Sequence, residues 1–358
     1  MVIVMFFYRF PAVKGFQAHR EYYIAMVPIG LLDRLFPSEE EIVAPEYRAQ
    51  RKLNTTRIPA IRDYILNNRD TYVFSALSAS IDGEYHFTQN IDNVSTGVLE
   101  VSMNASFLIN DGQHRKAALM EAIKEDKTLK DETISVVFFS DQGLARSQQM
   151  FTDLNKHAVK TSNSISELYD SRDQLAVLTR EVVSQVPFLN KYTDKEKDNL
   201  GKFSSKLLTL NSLYSANKRV VRHVKSENYD KFEGFLIHYW NTVSENIIEW
   251  SDLEKQILSK KELRENYIIT QSVVFQAFGR LGNHFLTTDS PLDSLENLRR
   301  IDWQRSNKEW YLRAIGKNGR IVVNESAVIL TCNLIKMKLG ICLTEQEQEK
   351  EFELEEGI

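Results

Sequence analysis

FLINDGQHRKAALMEAI, residues 107–123, decides the fold. An apolar run ends at Asn110, five residues (Asp111, Gly112, Gln113, His114, Arg115) crowd the junction, and an Ala- and Leu-rich pattern at helical spacing follows, so a helix is predicted from about Gly112 to Lys124. A strand that hands over to a helix through one glycine is a ready anion site. The N–H groups of the first helical turn lack intrahelical partners, and the helix dipole favours negative charge there. Gly112 lets a ligand approach the backbone, while His114 and Arg115 add donors suited to phosphate. Asp111 reads as a metal or ribose partner or as a plain N-cap, and His114 taken alone is as readily a satisfied structural histidine.

Working outward from this turn, residues 2–8, 72–83, 98–110 and 133–139 read as strands, and 56–67 and 147–159 as helices. The first half is therefore an α/β unit. From Ser164 the pattern becomes helical over 164–185, 204–224, 229–250, 254–281 and 324–339, with Asn324 as an N-cap. The one interruption is 311–323, where Lys317-Asn318-Gly319 has the composition of a hairpin turn. The expected organisation is 1–163 as an α/β domain, 164–343 as a mostly α-helical domain, and 344–358 as an acidic tail, giving a helix-rich α+β chain overall.

The 358 residues carry a net charge of −4, which argues against a polyanion partner, but the tail TEQEQEKEFELEEGI holds seven Glu against one Lys. Without it the balance is 44 basic to 42 acidic residues, so any DNA contact must come from a local patch. The tail itself reads as a solvated helix end or a disordered extension. No apolar run reaches the ~18 residues of a membrane span. Cys332 and Cys342 match no metal spacing and sit in apolar surroundings, so they read as core residues of a reduced, cytoplasmic protein with no membrane partner. No P-loop, zinc or nuclease signature is present, and no resident metal site is expected.

The strongest basic cluster is NKRVVRHVK, 217–225. On a helix Lys218, Arg222 and Lys225 share a face with Arg219 beside them, an arrangement suited to DNA phosphates or simply to a solvated face. Arg299, Arg300, Arg305 and Lys308, interleaved with Trp303 and Trp310, form a second candidate, in which the tryptophans serve either as stacking groups or as a core stripe.

DGQHR (111–115) is also the name-giving motif of the DGQHR-domain family of prokaryotic proteins, whose best-known members belong to DNA phosphorothioation (sulfur modification) systems. The chain resembles the DndB-type members well beyond those five letters. RKLNTTRIPAIRDYIL (51–66), FTDLNKHAVKTSNSISELYD (151–170), KLLTLNSLY (206–214), QSVVFQAFGRLG (271–282) and the Trp303 to Trp310 region are all similar. The DGQHR domain is in turn similar to the ParB/sulfiredoxin fold, where a glycine-containing turn ending in Arg binds nucleotide phosphates. Gly112-Gln113-His114-Arg115 matches that turn. A second ParB-type motif, Glu-Asn ahead of Arg, is matched more loosely by Asp153-Leu154-Asn155-Lys156-His157: Asn155 carries over and the basic role falls to Lys156 or His157. Arg57 becomes a third positive group if its segment lies beside the turn, and is otherwise a solvated helix-face arginine.

The resemblance implies a DNA-binding transcriptional regulator of a phosphorothioation gene cluster. Its expected partners are double-stranded DNA (the promoter of its own gene cluster), other DNA sulfur modification proteins and further copies of itself. The implied cofactor is a nucleotide (ATP, GTP or CTP) with Mg²⁺, bound by Arg57, Asp111, Gly112, Gln113, His114, Arg115, Asn155, Lys156 and His157. The alternatives are an NTPase acting with the same machinery, with Asp111 and His114 as its catalytic pair, and a structural adaptor whose turn only caps a helix.

Overall fold

The computed structural model describes residues 6–37, 53–140, 149–150, 153, 161–201, 203–223, 229 and 231–356. The chain separates into two compact units, residues 1–159 and 160–358.

The first unit is a mixed seven-stranded sheet. Its strands are β1 (Phe7–Gln17), β2 (Arg20–Pro28), β3 (Leu77–Asp82), β4 (Tyr85–Gln89), β5 (Thr96–Ser102), β6 (Ser106–Asp111) and β7 (Thr133–Ser140), in the order β4-β5-β1-β2-β7-β3-β6. Only β3 and β7 run parallel. Strand alternation sends Phe10, Ala25, Val27, Leu77, Ala79, Ile81, Ile109, Val136 and Phe138 into one core. A short helix, α1 (Leu32–Leu35), and the two longer helices α2 (Ile58–Asn67) and α3 (Gln113–Glu125) contribute Leu32, Leu35, Ile65, Ala118, Leu119 and Ala122 to it.

Two expectations change here. Of the strand expected over 2–8, residues 2–5 lie outside the described residues, and Phe7 begins a long hairpin, β1–β2, whose two-residue turn is Ala18-His19 with φ of 50° and 61°. A left-handed two-residue turn is normally announced by Asn-Gly or Asp-Gly, and neither is present. The single strand expected over 98–110 is two, β5 and β6, broken at Met103-Asn104, where Ala105 N–H closes back on the Ser102 carbonyl at 3.0 Å. The β6 strand, which ends in the DGQHR turn, forms one edge of the sheet.

The second unit is built almost wholly of helices: α4 (Asn163–Tyr169), α5 (Gln174–Gln185), α6 (Pro187–Tyr192), α7 (Leu210–Val220), α8 (Glu233–Glu245), α9 (Ile248–Glu254), α10 (Lys260–Asn266), α11 (Ser272–Thr288), α12 (Glu325–Lys338) and α13 (Glu345–Glu356). The long helices expected from periodicity are cut by side chains that satisfy the backbone locally. Asp170 Oδ1 accepts from the N–H groups of Arg172 and Asp173, and Asp173 Oδ1 then caps α5. Ser259 and Glu262 form a capping box that starts α10 afresh. Asn324 caps α12 by accepting from Ala327 N–H at 2.8 Å, and the 317–319 turn forms with Gly319 at φ +73°. Helix α11 runs through the middle of this core and meets α7 so closely that a Cβ on Gly279 would lie 2.3 Å from the Ala216 carbonyl oxygen.

Trp240, Trp250, Trp303 and Trp310 are all buried, and Trp303 stacks on Trp310 at 5.2 Å. The stacking role for Trp303 and Trp310 is thereby overturned: their rings hold the core together. Cys332 is buried, with its thiol pushed up to about 12 by desolvation, whereas Cys342 is exposed rather than in the core. The acidic tail is corrected too. It forms α13 and docks on α12, with Glu347 buried and both its carboxylate oxygens 2.9 Å from Lys336 Nζ.

Candidate functional site

Strand β6 ends at Asp111, and Gly112 turns the chain into α3 with φ +103°, a left-handed conformation that favours glycine. A Cβ there would also meet Leu77 Cδ2 at 2.4 Å. Among the described residues, no side chain caps α3. Asp111 is thus not the N-cap that composition allows. Its Oδ2 instead accepts from Arg115 Nη2 at 2.5 Å across one helical turn.

The Arg115 guanidinium faces inward. Its Nη1 donates to the carbonyls of Ser75 (2.8 Å) and Ala76 (3.1 Å) and to the Ser75 hydroxyl, and its side chain is 17% exposed. It ties the segment before β3 to the start of α3. In this arrangement the arginine shapes the turn, and the groups left to meet an anion are the uncapped first-turn backbone and Gln113.

The structure brings a second segment to this turn. Asn54 donates its backbone N–H to His114 Nε2 at 3.1 Å, so the neutral ring carries its proton on Nδ1. The Asn54 side chain caps the following turn through Thr56 N–H and Oγ1, and that turn ends at the exposed Arg57. The turn before α2 is therefore held beside the DGQHR turn.

Beneath it, on the face opposite the core, Asn110 is 1% exposed. Its Nδ2 donates to Ser80 Oγ at 2.8 Å and contacts Met150 Sδ at 3.2 Å, while its Oδ1 has no partner. Met150 thus packs on the strand that leads to Asp111. Asn155, Lys156 and His157 themselves lie outside the described residues.

The basic cluster of the second unit separates into different environments. Arg219 is bound inward: Nη1 and Nη2 reach the two Glu325 oxygens at 2.9 and 2.7 Å, and Nε and Nη2 reach Gln276 Oε1. Lys218 and Arg222 are exposed. Helix α7 ends at Val220, so Arg222 sits in the turn after it and does not continue the helical face with Lys218; Lys225 lies outside the described residues. Lys218 borders a cleft of about 310 Å³ lined by Arg172, Asp173, Tyr214 and Tyr229 among others. Asp173 Oδ2 accepts from Tyr214 Oη at 2.7 Å, fixing one wall. Near Asp173 and Asp198, burial first and their negative charge second push the Glu167 carboxyl up to about 7.

Sequence reasoning missed Ser75 and Ala76, which bind Arg115 through groups every residue possesses and so leave no signal. It also missed Asn54 and Asn110. The Asn-Thr-Thr run was legible as a cap, whereas Asn110 read as the tail of an apolar strand.

The chain belongs to the class of proteins associated with DNA sulfur modification, since residues 10–342 match a family model of that description. That family is DndB, and this chain belongs to it. Its function accordingly lies in DNA sulfur modification. No curated protein and no solved structure is significantly similar to the chain. Among the described residues, no helix is long and apolar enough to cross a membrane.

Proposed function

We propose that this protein is a DNA-binding regulator of a phosphorothioation gene cluster whose grip on its promoter is set by a nucleotide at the DGQHR turn. The carrying observation is the junction of two segments 60 residues apart, Asn54 N–H to His114 Nε2, which holds the turn ending in Arg57 beside the uncapped start of α3. Backbone N–H groups, a helix dipole and a nearby guanidinium suit a phosphate. A ParB-like arrangement of the first unit is part of the same reading.

The residues present fit a nucleotide phosphate better than a tightly held metal. Asp111 is the carboxylate of the turn, and Arg115 already neutralises it. In this reading Arg115 is a positioning residue, Arg57 and Gln113 contact the phosphates, and Asn155 with Lys156 or His157 complete the pocket; Mg²⁺ would come with the nucleotide. Lys218, Arg222 and Lys225 hold duplex phosphates. Nucleotide occupancy alters DNA affinity to the extent that the two bound states differ in free energy.

Calorimetric titration with ATP, GTP and CTP, with and without Mg²⁺, tests the first half. The Arg57→Ala protein should bind the active nucleotide roughly 10-fold more weakly or worse, the loss of one charge-assisted hydrogen bond. A gel-shift on the promoter of its own gene cluster, with and without that nucleotide, tests the second half. No binding of any of the three nucleotides, or a promoter affinity indifferent to them, sinks the switch. Phosphate release on mixing nucleotide, Mg²⁺ and DNA would favour an NTPase instead.

A further inference from the structure

Helix α13 docks on its unit in an unusual way. A surface helix normally turns an apolar stripe inward. Here the buried position is Glu347, and Glu351, one turn on, is largely covered, while Phe352 is 59% exposed. The two carboxylates enter a cationic trench. Glu347 meets Lys336 Nζ through both oxygens at 2.9 Å and Arg280 Nη2 at 3.1 Å. Glu351 takes Arg313 Nη1 and Nη2 at 2.7 and 2.5 Å and Asn333 Nδ2 at 2.9 Å. Lys336 and Glu347 side chains are only 4% and 3% exposed.

Buried ion pairs hold two elements together no better than apolar packing of the same size, because desolvation offsets the attraction. What such a contact adds is a preference for anions. The trench also has capacity that α13 leaves unused: Arg280 Nε is buried without an acceptor. Helix α11 links it to the basic end of α7, since Gln276 accepts from Arg219 and Arg280 follows one turn later. Glu325 at the start of α12 is held below the usual carboxylate range, first by its hydrogen bonds to Arg219, with Arg280 and Arg222 adding their charge. Arg219 bonds both Glu325 and Gln276 of α11, and Arg280, one turn further along α11, shares Glu347 with Lys336.

We infer that the trench formed by Arg280, Arg313 and Lys336 is a phosphate-binding extension of the DNA surface around Lys218 and Arg222, occupied in the free protein by the chain's own acidic helix α13. Glu347 and Glu351 stand where backbone phosphates bind, and α13 is released when duplex DNA takes the track. This deepens the DNA-binding reading and rests on it.

The test compares three full-length proteins on one duplex: the wild type, Glu347→Gln/Glu351→Gln, and Glu345→Gln/Glu349→Gln/Glu353→Gln, which lowers the helix charge outside the trench. Weakening the internal competitor should tighten duplex binding ~10-fold and steepen its salt dependence by roughly two to three phosphate equivalents, and the triple variant should match the wild type. Unchanged or weaker binding by the trench variant, or equal tightening by the triple variant, overturns the inference.

A readout that needs no substitution guards against misfolding. Amide hydrogen exchange in 345–356 of the wild type should accelerate when duplex is added. Exchange unchanged at saturating duplex defeats α13 release while leaving DNA binding standing. Absence of duplex binding by every form defeats the DNA-binding reading, and this inference with it.

Discussion

The DGQHR turn and the basic end of α7 are alike in sequence, each a short polar run that contains an arginine, yet the structure uses Arg115 and Arg219 differently. Arg115 is tied to two backbone carbonyls and the adjacent Asp111. Arg219 is tied to side chains of two other helices, Glu325 and Gln276. Carbonyls neither titrate nor swing away, so the first arrangement is a rigid frame. A carboxylate and an amide can exchange partners, so the second arrangement is open to rearrangement. In each region the residue most conspicuous in sequence does the holding, and less conspicuous neighbours are exposed: Arg57 at the turn, Lys218 on the helix and Arg222 just after it.

Substitutions can break this comparison, beginning with the largest effect. Gly112→Ala combines a left-handed φ with a 2.4 Å approach to Leu77, and should cost about 2–4 kcal/mol in denaturant unfolding. A normal unfolding midpoint would show that the turn is not rigid. Arg115→Ala strands two carbonyls and a carboxylate and should cost about 2–3 kcal/mol. Arg219→Ala, at a partly exposed pair, should cost about 1 kcal/mol. Equal losses would erase the distinction between frame and surface.

Lys218→Ala/Arg222→Ala should leave stability within about 0.5 kcal/mol and reduce the slope of DNA affinity against salt by roughly two. A full slope in that protein would move the DNA contact elsewhere.

The smallest effect concerns Glu167. Its carboxyl is raised from 4.5 to about 7, chiefly by burial, so the neutral form favours the fold. That contribution is fully present below about pH 4.5 and disappears as pH climbs through about 7. Glu167→Gln should therefore match the wild type at pH 4.5 and melt higher at pH 8. Parallel melting curves across that range would show that the carboxylate is paired in solution.

Much of the local structure was readable in the chain. The glycine junction, the helix from 113, the strand from 133 and the Asn324 cap each follow from neighbours within a few residues, where propensity and capping act. The β1–β2 hairpin was not readable, because Ala18-His19 carries no turn signature and is held left-handed by the pairing of the strands on either side. The core-stripe alternative for Trp303 and Trp310 holds, but the burial of Glu347 was not readable for a related reason: it lies within a run of glutamates, so local composition points to solvent.

Taken alone, the sequence determined the glycine turn at Gly112, the change from an α/β to a helical half, and membership of a DNA sulfur modification family, since all three are written in contiguous residues. Only the tertiary structure decided that Arg115 grips carbonyls 40 residues away, that Asn54 reaches His114, and that Glu347 meets Lys336. The partner of a charged side chain is chosen by packing between distant segments, and its identity cannot be read from the residues on either side of it.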